Sequence, residues 1–147
     1  MSTRTVLVNE VFAAMRRLST EIDGLDQRAA NHLGINRTDL HLLDVLRSSG
    51  PLTARELAHA VGLTSGGLSI ALDRLERLSY IRRSQHPEDR RSVVIEATDA
   101  LEPFEAELFT PLARQIRKLL QGYTVDQLET IKHYLDNAAD VTNATAR

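Results

Sequence analysis

The feature that most constrains this chain lies near its start, where Val8, Val11, Met15, Leu18, Ile22, Leu25 and Ala29 recur at alternating spacings of three and four. That is a heptad rhythm, so a helix here gathers its apolar residues into one narrow seam rather than a broad face. A seam of this width needs another helix along it, supplied either by the same chain or by a second copy. Spacing alone leaves both sources open.

Composition says what the rest of the core is made from. Aromatic residues are 4% of the chain and tryptophan is absent, so burial rests on Leu, Val, Ile and Ala, which suits packed helices better than an aromatic-rich sandwich. With 42% hydrophobic and 26% charged residues the sequence is neither disordered nor membrane-spanning in character; no stretch nears the roughly 20 apolar residues of a membrane helix. At 147 residues it fits one domain, or one compact module with helical arms. No apolar leader with a cleavage site stands at the N-terminus, so the expected location is the cytoplasm. Cysteine is absent, which excludes disulfides, thiolate zinc sites and thiol redox sensing.

Further along, short helices are set off by their own punctuation. Gly34 breaks the first helix, and Asn36 can cap a second that carries Leu40, Leu43 and Leu46. Ser48-Ser49-Gly50-Pro51 stops it, and Thr53 with Glu56 forms a capping box that opens a third helix over Leu57, Ala58 and Val61. Gly62 ends that helix, and Thr64-Ser65 starts a fourth, with Leu68, Ala71, Leu72, Leu75 and Leu78 on its inner stripe. Ile81 then begins a strand, His86-Pro87-Glu88-Asp89 reads as a turn, and Val93-Val94-Ile95 returns as a β-branched strand. Thr98 or Glu102 caps a long helix with Pro103 and Pro111 as start and kink positions, and Thr124 with Gln127 boxes the last one. The predicted fold is mainly α with a small β-hairpin wing. Residues 1–34 form an N-terminal helix, 35–98 a helix-turn-helix with its wing, and 99–147 two C-terminal helices.

A short helix, a glycine turn and a second helix with a greased inner face and a small polar outer face is the arrangement that places one helix in a DNA major groove. Ala58 lets the two helices approach and Gly62 permits the turn; Ser65, Gly66, Gly67, Ser69, Ile70, Arg74 and Arg77 are left as candidate DNA contacts. Gly66 and Gly67 together cost about 2 kcal/mol of helix propensity relative to alanine, so backbone approach to a phosphate is the expected compensation. Ser65 and Ser69 would donate hydrogen bonds there, and Arg74 would reach a guanine edge or a phosphate. Asp73 either pairs with Arg77 one turn on, the favoured reading, or accepts from a cytosine amino group. A net charge of -2 gives no global attraction to nucleic acid, so the basic surface must be local. Arg90 and Arg91 at the hairpin supply it: a planar, weakly hydrated guanidinium enters a narrow minor groove more readily than an ammonium. Asp89 would brace Arg91 by a charge-assisted hydrogen bond.

The run Leu75-Glu76-Arg77 through Ile81-Arg82-Arg83, followed by His86-Pro87-Glu88-Asp89-Arg90-Arg91-Ser92 and Ala97-Thr98, resembles the recognition-helix end and wing of the MarR family. The resemblance spans the chain through the order of its elements, with Asp89-Arg90-Arg91 as its specific part. It implies a winged helix-turn-helix flanked by dimerisation helices: a homodimer that binds a palindromic operator in double-stranded DNA, commonly as a repressor. It also implies a small, aromatic or phenolic, anionic effector where the dimer helices meet the reading lobe, a position Arg16, Arg37 and His41 could face. Ser79 departs from the family by standing where a glycine usually ends the recognition helix, and Asp99-Ala100-Leu101 follows Thr98 without the usual glycine.

Other readings are weaker. There is no Ser-His-Asp context, phosphate-cradling glycine loop or two-histidine zinc helix, so an enzyme is not expected and no cofactor is implied. A metal-responsive regulator would draw on His32, His41, His59, His86 and His133, with Glu129 one turn before the last, but no sulfur ligand exists and no metal site is expected. A winged helix that binds protein instead of DNA would not need arginines at the wing.

Overall fold

The cap signals place the helices almost where they fall in the computed structural model, which describes residues 1–147. Helix α1 covers Thr3–Leu33, is capped by the Ser2 side chain and stops at Gly34 in the left-handed conformation. Helix α2, Arg37–Ser49, opens on a full capping box in which Asn36 accepts from the Asp39 backbone and Asp39 accepts from that of Asn36. Thr53 and Glu56 do the same for α3, Ala54–Val61, and Gly62 ends it at φ 70°. Thr64 caps α4, Ser65–Arg77, by accepting from the Gly67 amide.

Strands β2, Ile81–Gln85, and β3, Val93–Ala97, form the expected hairpin, with Ile81 opposite Ala97 and Gln85 opposite Val93. A third strand, β1, was not expected: Leu52 and Thr53 pair antiparallel with Ile95 and Val94, giving the sheet order β1-β3-β2. The two residues between Pro51 and the third helix look like a linker, yet they cover the edge of β3 that the hairpin would otherwise leave open.

The chain divides into two compact units, Met1–Ala100 and Leu101–Arg147. In the first, Leu42, Leu43 and Leu46 of α2 pack with Leu57 of α3, Leu68, Leu72 and Leu75 of α4, and Ile81 and Ile95 of the sheet, all buried. Each such side chain contributes on the order of 2 kcal/mol by leaving water. The seam of α1 splits along its length: Ala29 and Ala30 are buried, whereas Val8, Val11, Leu18 and Ile22 are each about half exposed.

A 3-10 turn, Asp99–Leu101, runs into the second unit, which holds α5, Glu102–Leu120, and then α6, Val125–Thr145, opening on the Thr124–Gln127 capping box. Leu101 precedes α5 without any side-chain cap, and Pro103 occupies its first turn. Thr98 therefore does not cap α5: its hydroxyl donates to the Ser79 carbonyl at 2.6 Å and accepts from Ala100 in the 3-10 turn. Neither long helix has a fully buried residue, and Ile116, Leu119, Leu135 and Val141 stand open.

Candidate nucleic-acid interface

The outer face of α4 is what its inner stripe dictates. With Leu68, Ala71, Leu72 and Leu75 buried, helical periodicity turns Ser65, Gly66, Ser69, Ile70, Asp73 and Arg77 outward, and all six are exposed. A Cβ at Gly66 would meet nothing within 4 Å, whereas one at Gly67 would lie 3.2 Å from the Thr64 hydroxyl that caps the helix. The chain's own packing thus gives a reason for glycine at 67 but none at 66.

At the far end of α4, Ser79 takes φ 66°, the only residue other than glycine with positive φ. Tyr80 follows, and its hydroxyl donates to the Leu33 carbonyl at 3.0 Å, tying the start of the wing to the end of α1.

The wing tip is built by local hydrogen bonds. His86 Nδ1 accepts from the amides of Glu88 and Asp89 at 3.1 and 3.3 Å. Asp89 accepts from the Arg91 amide at 3.0 Å and from the Ser92 hydroxyl at 3.1 Å. Asp89 therefore braces the tip through backbone and serine, not through the Arg91 guanidinium as its position suggested. The reason is geometric: a carboxylate two residues before an amide closes a small turn on that amide before it can reach the longer side chain. Arg90 and Arg91 are exposed, and neither makes an ion pair within the chain.

Other arginines are committed. Arg74 was expected to meet DNA, but its Nε and Nη2 donate to the two carboxylate oxygens of Asp39 at 2.7 and 3.0 Å. Asp39 is fully buried in the first turn of α2, where a carboxylate needs a countercharge, and position 74 lies on the edge of α4 nearest to it. The hydrogen bond and charge of Asp39 raise the Arg74 pKa above its ordinary value. Asp73 does not pair with Arg77; it accepts from Arg83 of β2 at 2.6 Å, and Glu76 lies 3.5 Å from the same guanidinium. Arg82 pairs with Glu96 across the hairpin. Along α4 and the wing, Arg77, Arg90 and Arg91 are the arginines left without an ion pair.

The residues named for an effector stand on two helices, Arg16 on α1 and Arg37 and His41 one turn apart on α2. Arg37 is held by Asp23 and Asp26 of α1, at 3.3 and 3.7 Å, and Arg16 and His41 are exposed. On the same face, partial burial and the neighbouring Asp26 carboxylate push the Asp44 pKa up, against the opposing charges of Arg47 and His41. A pocket of about 390 Å³ lies between α3, α4 and the sheet, lined by Ala58, Leu68, Leu72, Val93 and Ile95, with Arg55, Ser65, Ser69 and Arg83 also on its wall. His133 hydrogen-bonds Asn137, and no three metal-ligating side chains come together. No helix is long and apolar enough to cross a membrane.

Comparison with known proteins decides the class. The MarR family model matches residues 35–93, the span from α2 to the start of β3. An uncharacterized HTH-type transcriptional regulator of Bacillus subtilis, YcgE, is 36% identical over 140 residues, covering 95% of this chain and 91% of the relative. The chain belongs to the MarR family. The multiple antibiotic resistance protein MarR of Salmonella typhimurium is a more distant relative, 27% identical over 92% of this chain and 96% of its own. Among solved structures, a mutant MepR from S. aureus superposes with a TM-score of 0.72 at 20% identity, covering 90% of this chain and 96% of that one. Wild-type MarR of E. coli gives 0.60 at 20% identity, over 86% and 93%. These structural likenesses carry the winged-helix fold. As a MarR-family protein the chain is a DNA-binding transcriptional regulator and not an enzyme.

Proposed function

We propose that this protein is a cytoplasmic homodimeric repressor that binds a palindromic operator, with α4 in the major groove and the wing arginines in the minor groove. One observation carries the reading: the guanidinium groups of Arg90 and Arg91 are exposed and unpaired on the same unit as the bare outer face of α4, while every other arginine from 74 to 83 except Arg77 is tied to a carboxylate. Free cations are what phosphate and a narrow minor groove attract, and paired ones are not. In this reading Ser65, Gly66, Gly67, Ser69, Ile70 and Arg77 face the DNA, Arg74 holds the helix in place, and residues 35–98 are the reading domain. Residues 1–34 and 99–147 pair with a second copy, a role supported by the half-exposed seam of α1 and by two terminal helices without a core of their own. A small anionic aromatic effector would suit the pocket between α3, α4 and the sheet, lined by Leu68, Leu72, Val93 and Ile95, where Arg55 stands without an ion pair, whereas Arg37 is already held by Asp23 and Asp26.

The test is selection from a random-sequence duplex library by the full-length protein, followed by affinity against salt concentration. A recovered palindrome and a slope of several phosphate contacts, at roughly 0.9 per contact, are expected. Arg90→Ala with Arg91→Ala should weaken binding and flatten that slope. Unchanged affinity in this double variant would favour a winged helix that meets protein instead.

A further inference from the structure

On the reading above, the centre of α4 is where base identity is read, and the side chain standing there is Ile70. It is 65% exposed, the only large apolar residue exposed within α4. A lone exposed isoleucine is ordinary on a protein surface. Its surroundings here are not. A helical side chain leans toward the N-terminus, over the positions three and four residues before it. For Ile70 those are Gly67 and Gly66, which have no side chains, and a Cβ at Gly66 would touch nothing. One turn on, Asp73 is drawn off to Arg83 and Arg74 to Asp39. The branched methyls of Ile70 thus stand over bare backbone, with the Ser69 hydroxyl beside them and the Asp73 carboxylate, held on one oxygen by Arg83, one turn on.

We infer that Ile70 is a specificity-determining residue that selects a 5-methylpyrimidine, thymine in unmodified DNA, in the middle of each half-site. The major-groove edge of a thymine–adenine pair is the only unmodified one that presents a methyl group, and an apolar side chain is its natural partner. The bare turn at Gly66 and Gly67 lets the helix backbone come close enough for that contact, which gives glycine at 66 the purpose the free protein's packing does not. A guanine–cytosine pair opposite Ile70 presents no methyl group, so it forgoes this contact.

The experiment uses the full-length protein and the duplex recovered from the random library, made with each thymine in turn replaced by uracil, which removes the C5 methyl and nothing else. One thymine per half-site should respond with roughly a fourfold loss of affinity, the scale of one buried methyl group, and substitution in both half-sites with about fifteenfold. Replacing that pair by 5-methylcytosine–guanine should bind more tightly than cytosine–guanine, which separates the methyl from the rest of the base. Ile70→Ala should abolish the difference between thymine and uracil at that position alone, and Ile70→Val should keep part of it. If a palindrome is recovered and bound but no thymine responds to uracil, or the response is equally large in Ile70→Ala, the inference fails while the operator reading stands. If no sequence is recovered, the operator reading fails and takes this inference with it.

Discussion

Arg74 of α4 and Asp39 of α2 form a two-pronged ion pair, 35 residues apart in sequence, with Asp39 at 0% exposure and Arg74 at 35%. The inequality makes the pair asymmetric. Removing the arginine strands a carboxylate that has no access to water, whereas removing the carboxylate frees a guanidinium that can turn to solvent. Arg74→Met should therefore cost about 3 kcal/mol. Asp39→Asn, whose amide oxygen can still serve the capping box, should cost roughly 1–2 kcal/mol. Urea unfolding at one fixed protein concentration measures both, since a dimer's stability depends on concentration. The reverse order would mean that Asp39 acts mainly as a cap.

Ser79 carries a backbone strain at the end of α4, where the family resemblance leads one to expect a glycine. Its φ of 66° is held by the Thr98 hydroxyl on its carbonyl and by its amide donating to Glu76. A residue with a Cβ in this region costs about 1 kcal/mol or more. Ser79→Gly should accordingly raise stability by roughly 0.5–1 kcal/mol, after the entropy glycine adds to the unfolded chain is subtracted. Thermal unfolding reads this as a rise in Tm, and a fall would show that the serine makes a compensating contact.

How far the sequence could be read depended on how far apart the partners lie. Asn36, Thr53, Thr64 and Thr124 are all caps in the structure because a cap reaches only three residues, and the α4 stripe was legible because it repeats within one helix. Strand β1 was not, since two residues have no period and their partners in β3 lie beyond α3, α4 and β2. The same distance hid Asp39–Arg74 and moved Asp73 from Arg77 to Arg83: charge spacing on one helix proposes local pairs, and tertiary neighbours with better geometry take them. Asp39 itself gave one signal, an acidic residue at the third position after Asn36, where a capping box would use it.

Asp89 sits among the wing cations, and two roles for it predict opposite results. As a charge alone it would repel DNA, so Asp89→Ala would tighten binding. As the acceptor for the Arg91 amide and Ser92 hydroxyl it shapes the tip, and its removal should weaken binding to a selected operator several-fold. The second outcome is expected. Asp89→Asn keeps one acceptor oxygen without the charge and should fall between the wild type and the alanine variant. Tighter binding by Asp89→Ala would leave Asp89 no structural part in the wing.

Asp44 supplies the pH test. Partial loss of hydration, then the Asp26 carboxylate, raise its pKa above the usual aspartate range. A carboxyl with a raised folded pKa favours folding when protonated; that stabilisation is complete below its unfolded value near 4 and is lost as pH rises through the folded one. At neutral pH the ionised group is therefore a liability, and Asp44→Asn should stabilise the protein there. Because the side chain is still solvated, the gain is at most about 0.5 kcal/mol. Measured by thermal unfolding from pH 7 down to pH 3, the difference in Tm between variant and wild type should hold level until the pH reaches the folded pKa of Asp44 and shrink below it. A gain that holds constant across that range would show that the introduced amide helps through packing or hydrogen bonding, and that the charge of Asp44 has no part in it.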